Sequence, residues 1–223
     1  MSTAKLVRMN LKMSTAAKAQ ISKKILNLFV VPRRDLAVEF ANTLMWRGSA
    51  PAESLHTAAD VAAWLSANKT MPVNALDALT GWFDGHPAHA DAFLRESIEI
   101  REAIYRLIHG IAASSASDPA DLRQLNDALR ASPPRGLLER ADGNYGWRIE
   151  AKPVAAEILA PVLWSAADVL VGPDSARVRE CANHRCLWLF LDDSKNGSRR
   201  WCSMQMCGNR AKAQRHYQRQ KDR

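Results

Sequence analysis

The chain has 223 residues, 47% of them apolar and 24% charged, a composition ordinary for a folded globular protein. No apolar run approaches the roughly 18 residues of a membrane span, and the N-terminus lacks the charged, apolar and cleavage order of a signal peptide, so a cytoplasmic location with no membrane partner is expected. The net charge of +8 is unevenly placed: residues 1–34 carry eight Lys/Arg and no acid, residues 35–174 eleven against nineteen Asp/Glu, and residues 175–223 twelve against four. An acidic body between two basic ends points to a polyanionic partner at the ends.

Residues 1–34 read as a flexible basic extension, its lysines and arginines spread among Ser, Thr and Ala, with an apolar run only at Ile25–Val31. An amphipathic helix, an organellar transit peptide, or initiation at Met9 or Met13 are the alternatives. From Asp35 the spacing predicts a helix through Leu44 and Met45, ended by Gly48 and Pro51. Further helices follow over 58–68 after Thr57, over about 73–83 after Pro72, and over about 88–113. Arg95–Glu99 and Arg101–Tyr105 on this longest helix read as solvated or inter-helix spacings. Asp118-Pro119 opens another helix that stops before Pro133-Pro134. Residues 136–149 read as a β-hairpin turning at Asp142-Gly143-Asn144, and Pro153 to about Val171 as one helix.

Residues 35–174 are therefore expected to form an α-helical domain of about six helices with one hairpin and its own core. The domain carries no G-x-S-x-G, G-x4-G-K-[ST] or H-E-x-x-H, and its histidines are scattered, so no enzyme is expected. Asn42, Thr43 and Arg47, beside Trp46 and Trp64, combine polar groups with aromatics as a small-molecule pocket would; the alternative is that they only pack.

All four cysteines lie in residues 175–223, as Cys181-x4-Cys186 and Cys202-x4-Cys207 with fifteen residues between the pairs. In a reducing compartment two close pairs point to one tetrahedral metal ion and not to disulfides. Four thiolates close the shell, so the ion is a single structural zinc. An iron–sulfur cluster, or His184 in place of one cysteine, are the lesser alternatives. The expected plan is treble-clef-like. A strand leads into Cys181, a β-rich run follows Cys186, Ser198–Cys202 returns as the second arm of a hairpin, and Ser203 caps a helix from Met204 to about Lys221. On that helix Lys212, Arg215, Arg219 and Arg223 recur at steps of three or four, and Arg199 and Arg200 precede Trp201. Basic groups at phosphate spacing would supply affinity for DNA, with Asn209, Arg210 and Gln214 available to base edges. The alternative is a solvated face, or a helix packed on the acidic body.

The run Cys181-x4-Cys186, Phe190-x-Asp192, Ser194, Arg199-Arg200-Trp201-Cys202-Ser203-Met204, Cys207-Gly208-Asn209-Arg210-x-Lys212 resembles the CGNR zinc finger. Upstream, Phe40-Ala-Asn42-Thr43, Trp64-Leu65 and the arginine-containing long helix resemble the ABATE domain that usually precedes it. The resemblance covers about residues 35–219 and implies a bacterial protein of the stress-induced transcription regulator class, with zinc at the four cysteines and DNA bound by the finger. Many relatives have an Asn-Arg pair where this chain has Lys195-Asn196, which bears on turn contacts and leaves the metal ligands untouched. The expected fold is mainly α, with the finger at the C-terminus. The expected function is a zinc-dependent DNA-binding regulator whose helical domain senses a small-molecule effector or mediates homodimerisation. The rival is a ligand-binding or protein-interaction module in which the finger is only a clasp, its basic helix covered by the acidic body.

Overall fold

The computed structural model describes residues 24–141 and 143–221. The alternation Leu26-Asn27-Leu28-Phe29-Val30 builds β1 (Leu26–Val30), with Leu26, Leu28 and Val30 buried. Strand β1 lies antiparallel to β5 (Asn144–Ala151), which pairs on its other side with β4 (Leu137–Ala141), giving the order β1-β5-β4. The register sets Leu26 opposite Ala151, Leu28 opposite Ile149 and Val30 opposite Trp147, so one face of the sheet is apolar and meets the helices. Gly143, at φ +81, takes the left-handed backbone of the β4–β5 connection. Residues 26–30, expected in a flexible arm, are thus an integral strand. Residues 1–23 of that predicted arm lie outside the described residues.

Helix α1 (Leu36–Ala41) is shorter than the spacing predicts. Thr43 Oγ1 donates to the Phe40 carbonyl at 2.7 Å and the chain turns. Leu44–Met45 then becomes β2, paired with β3 (Ala52–Glu53). Thr57 and Asp60 form a reciprocal capping box for α2 (Ala58–Ala67). Next come α3 (Val73–Asp84), α4 (Pro87–Ala112) and α5 (Pro119–Ala131), the last opened by Asp118, whose carboxylate accepts the Ala120 N–H. The single helix predicted over 153–171 is two, α6 (Ala155–Ile158) and α7 (Ala160–Val171). Pro161 has no N–H to continue the ladder and its ring opposes the carbonyl of Glu157, so the chain breaks at Leu159.

Helix α4 is the axis of the body, packing on α1, α2, α3, α5 and α7. Its stripe of Phe93, Ile100, Ile104, Leu107 and Ile108 is buried, and so is Arg101, 1% exposed, which excludes the solvated one of the two readings of its spacing. A 3-10 turn (Pro173–Arg177) leads to β6 (Val178–Glu180), paired antiparallel with β7 (Leu189–Leu191). Val178, Leu189 and Leu191 belong to the same buried cluster as the helices, so the finger is seated in the body's core and does not hang from a linker. The predicted second arm, Ser198–Cys202, is not a strand. The Asp192 carboxylate accepts from Ser194 N, Ser194 Oγ and Arg199 N and holds that stretch as a side-chain-tied loop, which leaves β7 to pair with β6. A π-type turn (Met204–Gly208) passes into the terminal helix α8 (Asn209–Lys221). The chain is mainly α with the finger at its C-terminal end, as the sequence predicts.

Candidate metal centre and nucleic-acid interface

Cys181 follows β6 directly, and its N–H is held by the Trp188 carbonyl at 2.8 Å. Asn183 shapes the first knuckle: its carbonyl takes the Cys186 N–H at 2.7 Å and its Oδ1 the Arg185 N–H. Leu187 then reverses the chain at φ +56, an uncommon conformation for a branched residue. Cys202 ends the tied loop. Ser203 Oγ accepts the Met206 N–H and so starts the turn that carries Cys207.

The four sulfurs lie within 4.8 Å of one another, all buried, and Cys186 and Cys202 Sγ are 3.8 Å apart. A tetrahedron with Zn–S bonds of about 2.3 Å has edges of about 3.8 Å, so the donors fit zinc. Crowding points the same way: the Cys181 sulfur pushes the Cys186 thiol up to about 12, and Cys181 and Cys186 together raise Cys202. Four sulfurs this close hold four negative charges only around a cation. Asn183 Nδ2 also donates to Cys207 Sγ at 3.4 Å, and Trp46, Trp188, Trp201 and Phe190 pack around the cluster. The site is that of one structural zinc; with no open position, the ion braces the chain.

The residues read as a ligand pocket lie at the joint between body and finger. Asn42 donates to the Leu189 carbonyl at 2.8 Å and accepts the Leu189 N–H at 3.0 Å, fastening β7 to α1. Arg47 forms a double hydrogen bond with Glu102 and lies 3.8 Å over the Tyr105 ring, and Tyr105 Oη donates to the Leu187 carbonyl in the knuckle. Thr43 Oγ1 accepts from Arg101. At Gly48 a Cβ would stand 1.9 Å from the His184 carbonyl, so only glycine lets this loop lie on the knuckle. Asn42→Ala would leave a buried amide and a buried carbonyl unpaired, each costing about 1–3 kcal/mol. The expected result is a lower urea midpoint with an unchanged slope, measured by circular dichroism.

The residues read as a DNA face divide into two groups. Arg199 is exposed but tied down: its guanidinium lies 4.4 Å over the Phe190 ring, Nε donates to the Trp201 carbonyl at 3.0 Å, and the Cys202 carbonyl is also its acceptor. Arg210 lies 4.6 Å over the Trp46 ring and ties the first turn of α8 to the body. Arg200, Asn209, Lys212, Gln214, Arg215 and Arg219 are exposed too, and α8 buries no residue. Lys212, Arg215 and Arg219 line one shallow depression of about 220 Å³ with His216, which places them on a single face. Among the described residues none of these three cations has an ion-pair partner. Arg223 lies outside the described residues.

Sequence reasoning missed the ion network behind the joint. Arg101 donates to both Glu53 oxygens at 2.6 and 2.7 Å and to Glu102 at 2.9 Å. A signal was present: Leu94, Arg101 and Ile108 stand at seven-residue steps, which puts Arg101 on the apolar stripe.

Fold and site together define a protein in which a metal-built, treble-clef-like finger is seated on an α-helical body. The chain belongs to the ABATE family, described as "Putative stress-induced transcription regulator", which matches residues 34–173, and residues 177–220 match the CGNR zinc finger. No curated protein matches the chain. Among the described residues no helix is long and apolar enough to cross a membrane.

Proposed function

We propose that the protein is a zinc-dependent DNA-binding transcription regulator of the stress-response class, acting in the cytoplasm. Its finger presents α8 to DNA, and its helical body senses an effector or mediates dimerisation. The observation that carries the reading is the face of Lys212, Arg215 and Arg219: exposed, on one side of a helix, and without carboxylate partners among the described residues. A basic helix that served only to clasp the finger to an acidic body would have those partners. Arg199 and Arg210, exposed but laid over the Phe190 and Trp46 rings, support the same division, because they brace the finger and leave the stripe to phosphates.

Duplex DNA enriched from a random pool by the zinc-loaded full chain should bind with log affinity falling linearly as log salt rises. Replacing Arg215 or Arg219 with alanine should weaken binding across sequences and make that slope shallower by about 1 for each phosphate no longer neutralised. Fluorescence anisotropy over a salt series reads both. Binding that ignores salt, or that survives loss of the stripe, would overturn the reading.

A further inference from the structure

A cavity of about 630 Å³ opens in the finger, between the first knuckle and α8. It is about three times the size of a cavity in the body beside Trp164, about 210 Å³. Its walls combine two aromatic rings, Trp201 and Tyr217, with the guanidinium-bearing Arg185 and Arg210 and the polar His184 and Gln214. Adjoining it, and sharing Trp201, Ala211 and Gln214, is a second depression of about 550 Å³, here with Arg200 and Arg215. Among the described residues no carboxylate lines either hollow.

The groove stays open because α8 presents Ala211 and Ala213 to it, side chains too short to fill the gap. Tyr217 is 61% exposed, so its ring is open to a ligand entering the groove. Lys221 Nζ lies 5.5 Å over that ring and adds a cation to its outer edge. The Arg185 side chain has no hydrogen-bond or ion-pair partner among the described residues.

Flat rings among cations, with no acid among the described lining residues, suit a ligand that is both planar and anionic. Nucleotides have both properties, and the volume lies in the range of small-ligand sites, roughly 300–1,000 Å³. A base inside a duplex is covered on both faces by its neighbours and has none to offer an aromatic ring; an unpaired base does. Rings interleaved with basic groups along a groove are how single strands are held, the phosphates by charge and the bases by stacking. Here the phosphate face and the rings sit on adjacent sides of one helix, since Arg215 lines the depression of Lys212 and Arg219 and also the second hollow of Trp201.

We infer that the groove between the knuckle and α8 is a stacking site for an unpaired base, with Trp201 and Tyr217 as its rings, so that the finger holds single-stranded DNA more tightly than continuous duplex. The inference rests on the nucleic-acid reading above and adds to it the form of DNA that is taken.

The test uses the zinc-loaded full chain, with an end-labelled oligo(dT) of about twelve nucleotides and a duplex of the same length, at one fixed salt concentration. Oligo(dT) should bind the tighter of the two and quench tryptophan fluorescence as a base reaches Trp201. Tyr217→Ala should weaken oligo(dT) binding roughly 5- to 100-fold, the range for removal of one stack, and change duplex binding by less than about twofold. Trp201 packs against the metal cluster, so its removal could unfold the finger. Arg185→Ala, at an exposed position, is therefore the second variant and should weaken oligo(dT) alone, with zinc content confirmed for each protein. Equal binding of both forms, with Tyr217→Ala silent, would overturn the stacking site and leave the duplex reading standing. Loss of both forms of DNA from the zinc-loaded wild type would overturn the nucleic-acid reading itself.

Discussion

Removing the metal, by chelation or by Cys202→Ser, is expected to unfold the C-terminal part of the finger and leave the helical body folded. Helix α8 contributes nothing buried to any core, so its position depends on Cys207, the Ser203 cap and the Arg210–Trp46 contact. The last two supply on the order of 1 kcal/mol each. Structural zinc supplies about 10–16 kcal/mol of apparent binding free energy, which in a module with so little core is folding free energy. An isolated helix of 13 residues is marginal in water, so α8 should melt when the ion leaves. Strands β6 and β7 should stay, because Val178, Leu189 and Leu191 are anchored in the core of the body. The native protein should carry one zinc per chain. Chelation should remove the circular dichroism of about one helix of that length and open cleavage sites C-terminal to Asp192, with the body resisting protease. Acid should release the ion progressively, since each departing thiolate takes up a proton. Retention of α8 helicity in the metal-free protein would show that something other than the ion holds the finger.

The parts of this arrangement that depend on neighbours in sequence were legible. The paired cysteines, the Asp118-Pro119 start, the β4–β5 connection and the Ser203 cap each need only a few adjacent residues. The parts that were not legible depend on partners far along the chain. Strand β1 carries its own alternation, yet its partner β5 is more than a hundred residues away, and the basic residues around it give it the look of an arm. Asn42 resembles a pocket residue until Leu189, 147 positions on, takes both ends of its amide. Ser198–Cys202 has the composition of a returning strand, but three hydrogen bonds to one carboxylate, Asp192, prevail over a ladder. Arg101 escapes a sequence reading because charge ordinarily means exposure, and only the paired carboxylates reverse that rule.

The joint also divides the finger between the two functional hypotheses. Its first half, from β6 through the knuckle to β7, is held by Asn42, Tyr105 and the Gly48 loop and has the character of a clasp. Its second half, α8, projects outward and touches the body through Arg210 alone among the interactions described. A clasp and the helix proposed to meet DNA are thus successive segments of one module. Whatever fixes the clasp also fixes the direction in which the basic face points.

Arg101→Met is therefore expected to have two consequences, one for stability and one for the metal. Methionine keeps much of the volume and removes the charge, leaving Glu53 without its cation and Glu102 with Arg47 alone. Breaking a buried pair from one side costs about 3–5 kcal/mol, a large fraction of the roughly 5–15 kcal/mol that holds a domain together. Because the two carboxylates are about a quarter exposed and can regain some water, a value in the lower half of that range is expected. The pH dependence identifies the cause. Burial pushes the Glu53 carboxyl up, but hydrogen bonds from Arg101 and the Leu55 and Ser54 amides outweigh it and leave the group below its ordinary value. Burial likewise opposes and Arg47 and Arg101 outweigh it at Glu102, which is also lowered. Groups depressed in the native state stabilise it above their unfolded value, near pH 4.3, and lose that contribution as the pH falls through the native values. Wild type should therefore lose stability in that acid window, and Arg101→Met should show a flatter profile there, measured by urea denaturation at several pH values. Adding Glu53→Gln should recover part of the loss, since the double variant no longer leaves that carboxylate unpaired. The second consequence follows from geometry: Arg101 holds Thr43 and Glu102, Glu102 holds Arg47, and Arg47 packs on the Tyr105 ring whose hydroxyl fixes the knuckle at Leu187. Zinc transfer to a chelator should be several-fold faster in Arg101→Met under conditions where the body is fully folded. Unchanged zinc release would mean that the network stabilises the body alone and that the knuckle keeps its shape without it.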